Sequence, residues 1–224
     1  MVESHCPQEI VTDRLHLRRF RKEDLDTYAG IMGDHEIGKW FPKGEGYTRE
    51  EAERSLNSIL KHWDKHGFGI WAITDKEEEL LLGRCGLNFI TETSEVEVDF
   101  VLARHCWNRG YATEAAKAAL VYGFGALQLD RIIALAKPEN ITSRRVIEKI
   151  GMRYVKNAEY WGINCAYYEI SNAEYTRSHT HNGCSRTIDS THTITDRTKR
   201  RDDETNDDEY VGGRIPQTPS FPNH

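Results

Sequence analysis

Residues 95–128 constrain this chain more than any other stretch, because three backbone signals follow one another almost without a gap. Residues 95–103 (EVEVDFVLA) alternate strictly, with Glu95, Glu97 and Asp99 on one side and Val96, Val98 and Phe100 on the other; that period predicts a β-strand. A short loop containing Gly110 comes next. Residues 113–128 then continue a stripe of small apolar side chains (Ala112, Ala115, Ala116, Ala119, Leu120, Gly123, Ala126, Leu127), which predicts a helix packed close against a sheet. An apolar run at 131–136 completes a strand–helix–strand unit. A chain organised around such a unit belongs to the α/β (α+β) class, with helices on both faces of a single sheet.

The flanking segments read the same way. Strands are predicted at 10–20, 69–74 and 80–90, and a final hairpin at 152–161 and 164–171 turns at Gly162. Helices are predicted at 24–32, at 48–65 behind a Thr48/Glu51 capping box, and at 143–150 before Gly151. Residues 40–46 contain Pro42, Gly44 and Gly46 and read as loop.

Past about Tyr175 the apolar periodicity stops. Residues 176–224 are rich in Thr, Arg, Asp, Asn and Ser, bury too little apolar surface to offset their ordering entropy, and read as a disordered polar tail. Its Lys199-Arg200-Arg201 knot reads as solvated charge rather than a nuclear address. With 1–8 as an N-terminal extension, the domain is expected at 9–175. A net charge of −6 argues against a general grip on nucleic acid. No apolar run resembles a signal peptide or a membrane span, and five scattered cysteines suit a reducing compartment, so a cytoplasmic location is expected. No spacing of His, Cys, Asp or Glu suggests a metal site.

The chemistry concentrates between strand and helix, at Trp107-Asn108-Arg109-Gly110-Tyr111-Ala112-Thr113-Glu114. The first amides of a helix lack intrahelical partners and carry the positive end of its dipole, and Gly110 and Ala112 leave them unobstructed. Arg109 adds charge, so a diphosphate suits the position. Neither a GxxxxGK[ST] nor a GxGxxG pattern occurs.

Residues 107–115 resemble the acetyl-coenzyme A motif of the GNAT N-acetyltransferases, in the form found in the RimJ/RimL-type branch. Residues 138–152, with Asn140, Ser143 and Gly151, are similar to that family's second landmark, and Thr12-Asp13-Arg14-Leu15-His16-Leu17-Arg18 to its opening. The resemblance spans roughly residues 9–171. It implies a mixed sheet of six or seven strands that splays between its fourth and fifth, with acetyl-CoA in the split. The backbone of Phe100, Val101 and Leu102 would pair with pantetheine, and the amides of Asn108, Arg109, Gly110, Tyr111, Ala112 and Thr113 would take the pyrophosphate. Asn140 and Ser143 would approach the pantetheine or thioester, and Arg144 a phosphate. The implied reaction is direct attack of a primary amine on the thioester.

An alkyl ammonium, with a pKa of about 10, must lose a proton before it attacks. The resemblance points to Glu97 as the base, while the alternation alone equally permits Glu95, Glu97 and Asp99 to form a solvated face. Many relatives place a tyrosine acid where this chain has Ile147; Ser143, Tyr167 or Tyr168 are the candidates to replace it. Trp40, Phe41 and Tyr47 either wall a substrate pocket, with Glu36 or Glu45 drawing in the amine, or staple their loop to the core. His35, His62 and His66 read as surface residues. The acceptor would be a protein N-terminus or a small amine, and many relatives dimerise. A non-catalytic acyl-CoA sensor is the alternative.

Overall fold

The computed structural model describes residues 8–180. The expected tail from residue 181 onward, including the basic knot, and residues 1–7 of the expected extension lie outside the described residues. One sheet of eight strands runs in the order β1-β2-β3-β4-β5-β6-β8-β7. The predicted strand at 10–20 is two strands, β1 (Ile10–Val11) and β2 (Leu15–Arg18), folded onto each other about the turn at 12–14; this break accounts for the strand beyond seven. β3 (Ile70–Asp75), β4 (Leu81–Ile90) and β5 (Glu95–Leu102) continue the antiparallel ladder.

The sheet then opens. β6 (Arg131–Ala136) runs parallel to β5 and registers with it only at Glu97↔Ile133. Beyond that pair β6 continues along β8 (Ile163–Ser171), and β5 continues along β4. From Val98 to Leu102 the β6-facing edge of β5 is therefore left without a strand. β7 (Arg153–Tyr160) closes the far edge against β8.

Helices pack where the side chains allow close approach. α1 (Leu25–Met32) and α3 (Arg49–His66) pack together, and the short α2 (His35–Gly38) lies in a stretch where no helix was expected. α3 starts at its capping box, Glu51 N–H to Thr48 Oγ1 at 3.2 Å and Thr48 N–H to Glu51 at 2.7 Å, and stops at Gly67 in the left-handed region. It buries Ala52, Leu56, Ile59 and Trp63.

α4 (Tyr111–Gly125) lies on β4 and β5, and a Cβ on Gly123 would come within 2.6 Å of Ile132. That approach is what the small-residue stripe is for. The helix ends three residues before the expected 128, because Gln128 turns left-handed (φ 54°) and Leu129 N–H closes back onto the Gly123 carbonyl at 3.0 Å. α5 (Ile141–Lys149) follows β6, and α6 (Asn172–Thr180) runs five residues past the expected boundary at 175.

Candidate active site

β5 sets the chemistry, and its acidic side is not a solvated face. Glu95 accepts from Tyr160 at 2.6 Å and Tyr167 at 2.8 Å and pairs with Arg131 at 3.1 Å. Asp99 pairs with Arg84 at 2.8 Å. Glu97, between them, is 7% exposed and has no ion-pair partner among the described residues. Burial pushes its carboxyl well above the usual carboxylate range and the charge of Asp99 adds to this; Arg84 and hydrogen bonds from the Asn88 side chain and the Leu135 backbone oppose it. Asn88 is its cross-strand neighbour on β4. A carboxylate with a raised pKa accepts protons near neutral pH.

Glu97, Asp99 and Val101 share one side of β5 and line a cleft of about 530 Å³, together with Phe100. One wall comes from Trp40, Phe41, Tyr47 and the α3 face with Ser55 and His62. The other comes from the end of β6, from Asn140 and Ser143, and from the β7–β8 hairpin with Trp161 and Cys165. The two readings of the aromatic loop therefore combine: Phe41 and Tyr47 pack ring to ring at 4.7 Å, Phe41 is buried, and both still face the cleft. Glu36 and Glu45, expected to draw in the amine, are tied to Lys39 and Lys43 and do not line it. Burial pushes the Cys165 thiol up to about 11, so it is a neutral part of the wall. Among the described residues no group of His, Cys, Asp and Glu could hold a metal ion.

At the other end of β5 the chain passes through a short 3-10 turn and reaches Asn108 and Gly110, both left-handed (φ 61° and 80°). These two residue types tolerate that conformation best. No side chain caps α4. Asn140, in contrast, caps α5 by accepting from Ser143 N–H at 3.1 Å, while both residues keep a place on the cleft.

Other expected groups are committed elsewhere. Ile147 is core. Tyr167 is bonded to Glu95, and Tyr168 to Arg144 and Glu148, which leaves Ser143 as the expected acid candidate on the cleft. Arg144 donates to Tyr168 at 2.8 Å and to the Pro138 carbonyl at 3.0 Å and does not line the cleft. His62 is no surface residue: Phe89 N–H donates to its Nε2 at 3.0 Å, so Nδ1 carries the proton it gives to the Phe68 carbonyl at 2.9 Å. Burial moves its pKa down, which keeps it in that neutral form.

Residues 14–153 match the family model of the acetyltransferase (GNAT) domain. The chain belongs to the GNAT acetyltransferase family. It is 33% identical over 174 residues to the uncharacterized N-acetyltransferase YnaD of Bacillus subtilis (strain 168), covering 74% of this chain and 98% of that one. A crystal structure of a GNAT-family acetyltransferase from Bacillus anthracis superposes with a TM-score of 0.65 at 29% identity, over 74% of this chain and 99% of that one. The spermidine N-acetyltransferase of Vibrio cholerae, solved with CoA and spermine, shares the fold at TM-score 0.61 and 20% identity, over 74% and 99% of the two chains. GNAT enzymes use acetyl-CoA. The GNAT landmarks pointed to β5, α4 and Asn140, but Arg84, Asn88, His62, Lys137 and Trp161 also line the cleft and carry no family pattern in the sequence. Only Arg84 and Asn88 carry a signal, as polar residues inside an apolar strand.

Proposed function

We propose that this protein transfers the acetyl group of acetyl-CoA to a primary amine, with Glu97 as the base. One observation carries the reading: β5 presents a strand edge without a partner strand, a helix start beyond it with no side-chain cap and a buried carboxylate with no ion-pair partner among the described residues, all along one strand. These features fit the coenzyme. An open edge at 100–102 can pair with the pantetheine amides, and the amides of 108–113 with Arg109 can take the pyrophosphate. When bound, acetyl-CoA supplies an acetyl group already activated as a thioester.

The chain's own residues do the rest. Glu97 takes the proton of the acceptor ammonium, and its burial keeps bulk water from doing so at random. The Ser143 hydroxyl, which lines the cleft, would hydrogen-bond the departing sulfur; thiols are acidic enough, at about 8.5, that no stronger acid is required. Trp40, Phe41 and Tyr47 form the acceptor wall. The landmarks at 12–18 and 107–115 favour the RimJ/RimL-type branch, hence a protein N-terminus or a small amine as acceptor and a cytoplasmic setting.

The test is a thiol-release screen with acetyl-CoA against N-terminal peptides, amino acids and polyamines. Turnover with at least one class is expected. A non-catalytic acyl-CoA sensor is the second reading, favoured by the core position of Ile147 and the commitment of Tyr167 and Tyr168. Retained CoA binding with no thiol release across the panel selects it.

A further inference from the structure

The turn between Asn108 and Gly110 does not stand alone. Arg14, from the turn that joins β1 to β2, reaches across 95 residues and donates Nη1–H to the Arg109 carbonyl at 2.9 Å. Its Nε and Nη2 hold Glu114 at 2.7 and 2.6 Å, and its guanidinium lies 4.6 Å above the Tyr111 ring. Thr12 Oγ1 and the Arg14 backbone N–H bind the other Glu114 oxygen at 2.6 and 3.0 Å. Two consequences follow from elementary geometry. In a trans peptide the carbonyl of Arg109 and the N–H of Gly110 point in opposite directions, so fixing the first towards Arg14 aims the second away from it. Glu114, one turn into α4, carries a negative charge that would repel an anion at the same helix start, and Arg14 neutralises it.

We infer that Arg14 is a positioning residue for the pyrophosphate site: it aims the Gly110 amide and cancels Glu114, without itself holding the coenzyme. This rests on the assignment of CoA to the site. Burial alone would raise the Glu114 carboxyl, but the bonds from Thr12 and Arg14 outweigh it and hold the group below its usual range, ionised and paired.

The discriminating probe is a ligand that lacks the pyrophosphate. Calorimetric titration of the full chain with CoA and with pantetheine is expected to show that Arg14→Gln weakens CoA about tenfold or more and leaves pantetheine unchanged. Arg14→Lys keeps the charge but cannot serve Glu114 and the Arg109 carbonyl together, so it is expected to fall between; it also tests the idea if the Gln variant fails to fold. Equal weakening of both ligands would reduce Arg14 to a structural residue, and equal affinity for CoA would remove it from the site. A wild-type chain that binds pantetheine and CoA equally would instead overturn the pyrophosphate assignment, and this inference with it.

Discussion

The two ends of β5 handle polar groups in opposite ways. At the Glu95 end, polar groups meet partners: Glu95 has two tyrosines and an arginine. At the Leu102 end the strand edge lacks a neighbouring strand, and the helix that follows has no side-chain cap. Buried or half-buried polar groups are normally satisfied. α1 also starts without a side-chain cap, but it runs straight on from the 3-10 turn at 22–24; α4 starts afresh from left-handed Gly110, and in a fold that caps α3 and α5 that open start suits something outside the chain. Glu97, next along the strand, has hydrogen bonds but no ion-pair partner among the described residues, which supports the proton-accepting role proposed for it.

The largest expected effect breaks the open end. Gly110→Glu places a carboxylate at the uncapped start of α4 and is expected to weaken CoA binding about a hundredfold or more, abolishing the CoA-dependent rise in Tm. Gly110→Ala is the control, because it carries the same left-handed backbone strain without the charge. If Ala weakens CoA as much as Glu does, the loss comes from the backbone and the anion site is misplaced.

The next effect sharpens the contrast inside the satisfied end. Glu97→Gln is expected to lower kcat about a hundredfold and to erase the limb on which activity rises with pH. Its stability effect has the opposite sign to that of Glu95→Gln. The folded carboxyl of Glu97 is raised, so its contribution is fully present below its unfolded pKa of about 4.3 and is lost as pH rises through the folded value. Glu97→Gln should therefore raise Tm by a few degrees at pH 8 and leave it unchanged near pH 4. For Glu95, burial is outweighed by bonds from Tyr160, Tyr167 and Thr93 and by Arg131, which hold it low; its contribution is present above the unfolded pKa and fades as pH falls through the folded value. Glu95→Gln should cost about 2 kcal/mol at pH 8, roughly 5 °C in Tm, and less in acid. Thermal melts at the two pH values check both, and shifts of the same sign would mean that the two carboxylates are not handled differently.

How far this contrast can be read from sequence differs between the ends. The strict alternation of 95–103, the small-residue stripe of α4 and the helix start after Gly110 are local signals, and each appears in the fold. Local signals say nothing about what closes over a strand. Alternation alone could not tell a solvated acidic face from one covered by Tyr160, Tyr167 and Arg84, because those partners arrive from β7, β8 and β4. His62 was hidden for the same reason: its position on α3 is ordinary, and only β4 crossing behind it supplies the Phe89 amide. Thr12 and Arg14 were visible as a landmark but without a role, since their partners lie about 100 residues away.

The smallest effect tests whether a closed helix start is only structural. Thr48 caps α3 through a reciprocal pair with Glu51, so its hydroxyl is already spent on the chain's own amides. Thr48→Ala removes one side of that pair and is expected to cost about 1 kcal/mol, a fall of roughly 3 °C in Tm. α3 also carries Ser55 and His62 to the cleft, yet its cap lies seven residues before Ser55, and fraying there should stop short of it. The affinity for CoA should therefore remain within twofold of wild type, measured by the same titration that reads Gly110→Glu. A CoA affinity that falls in step with Tm would mean that the two helix starts are coupled through the core, and that the absence of a cap on α4 is not by itself a mark of the ligand.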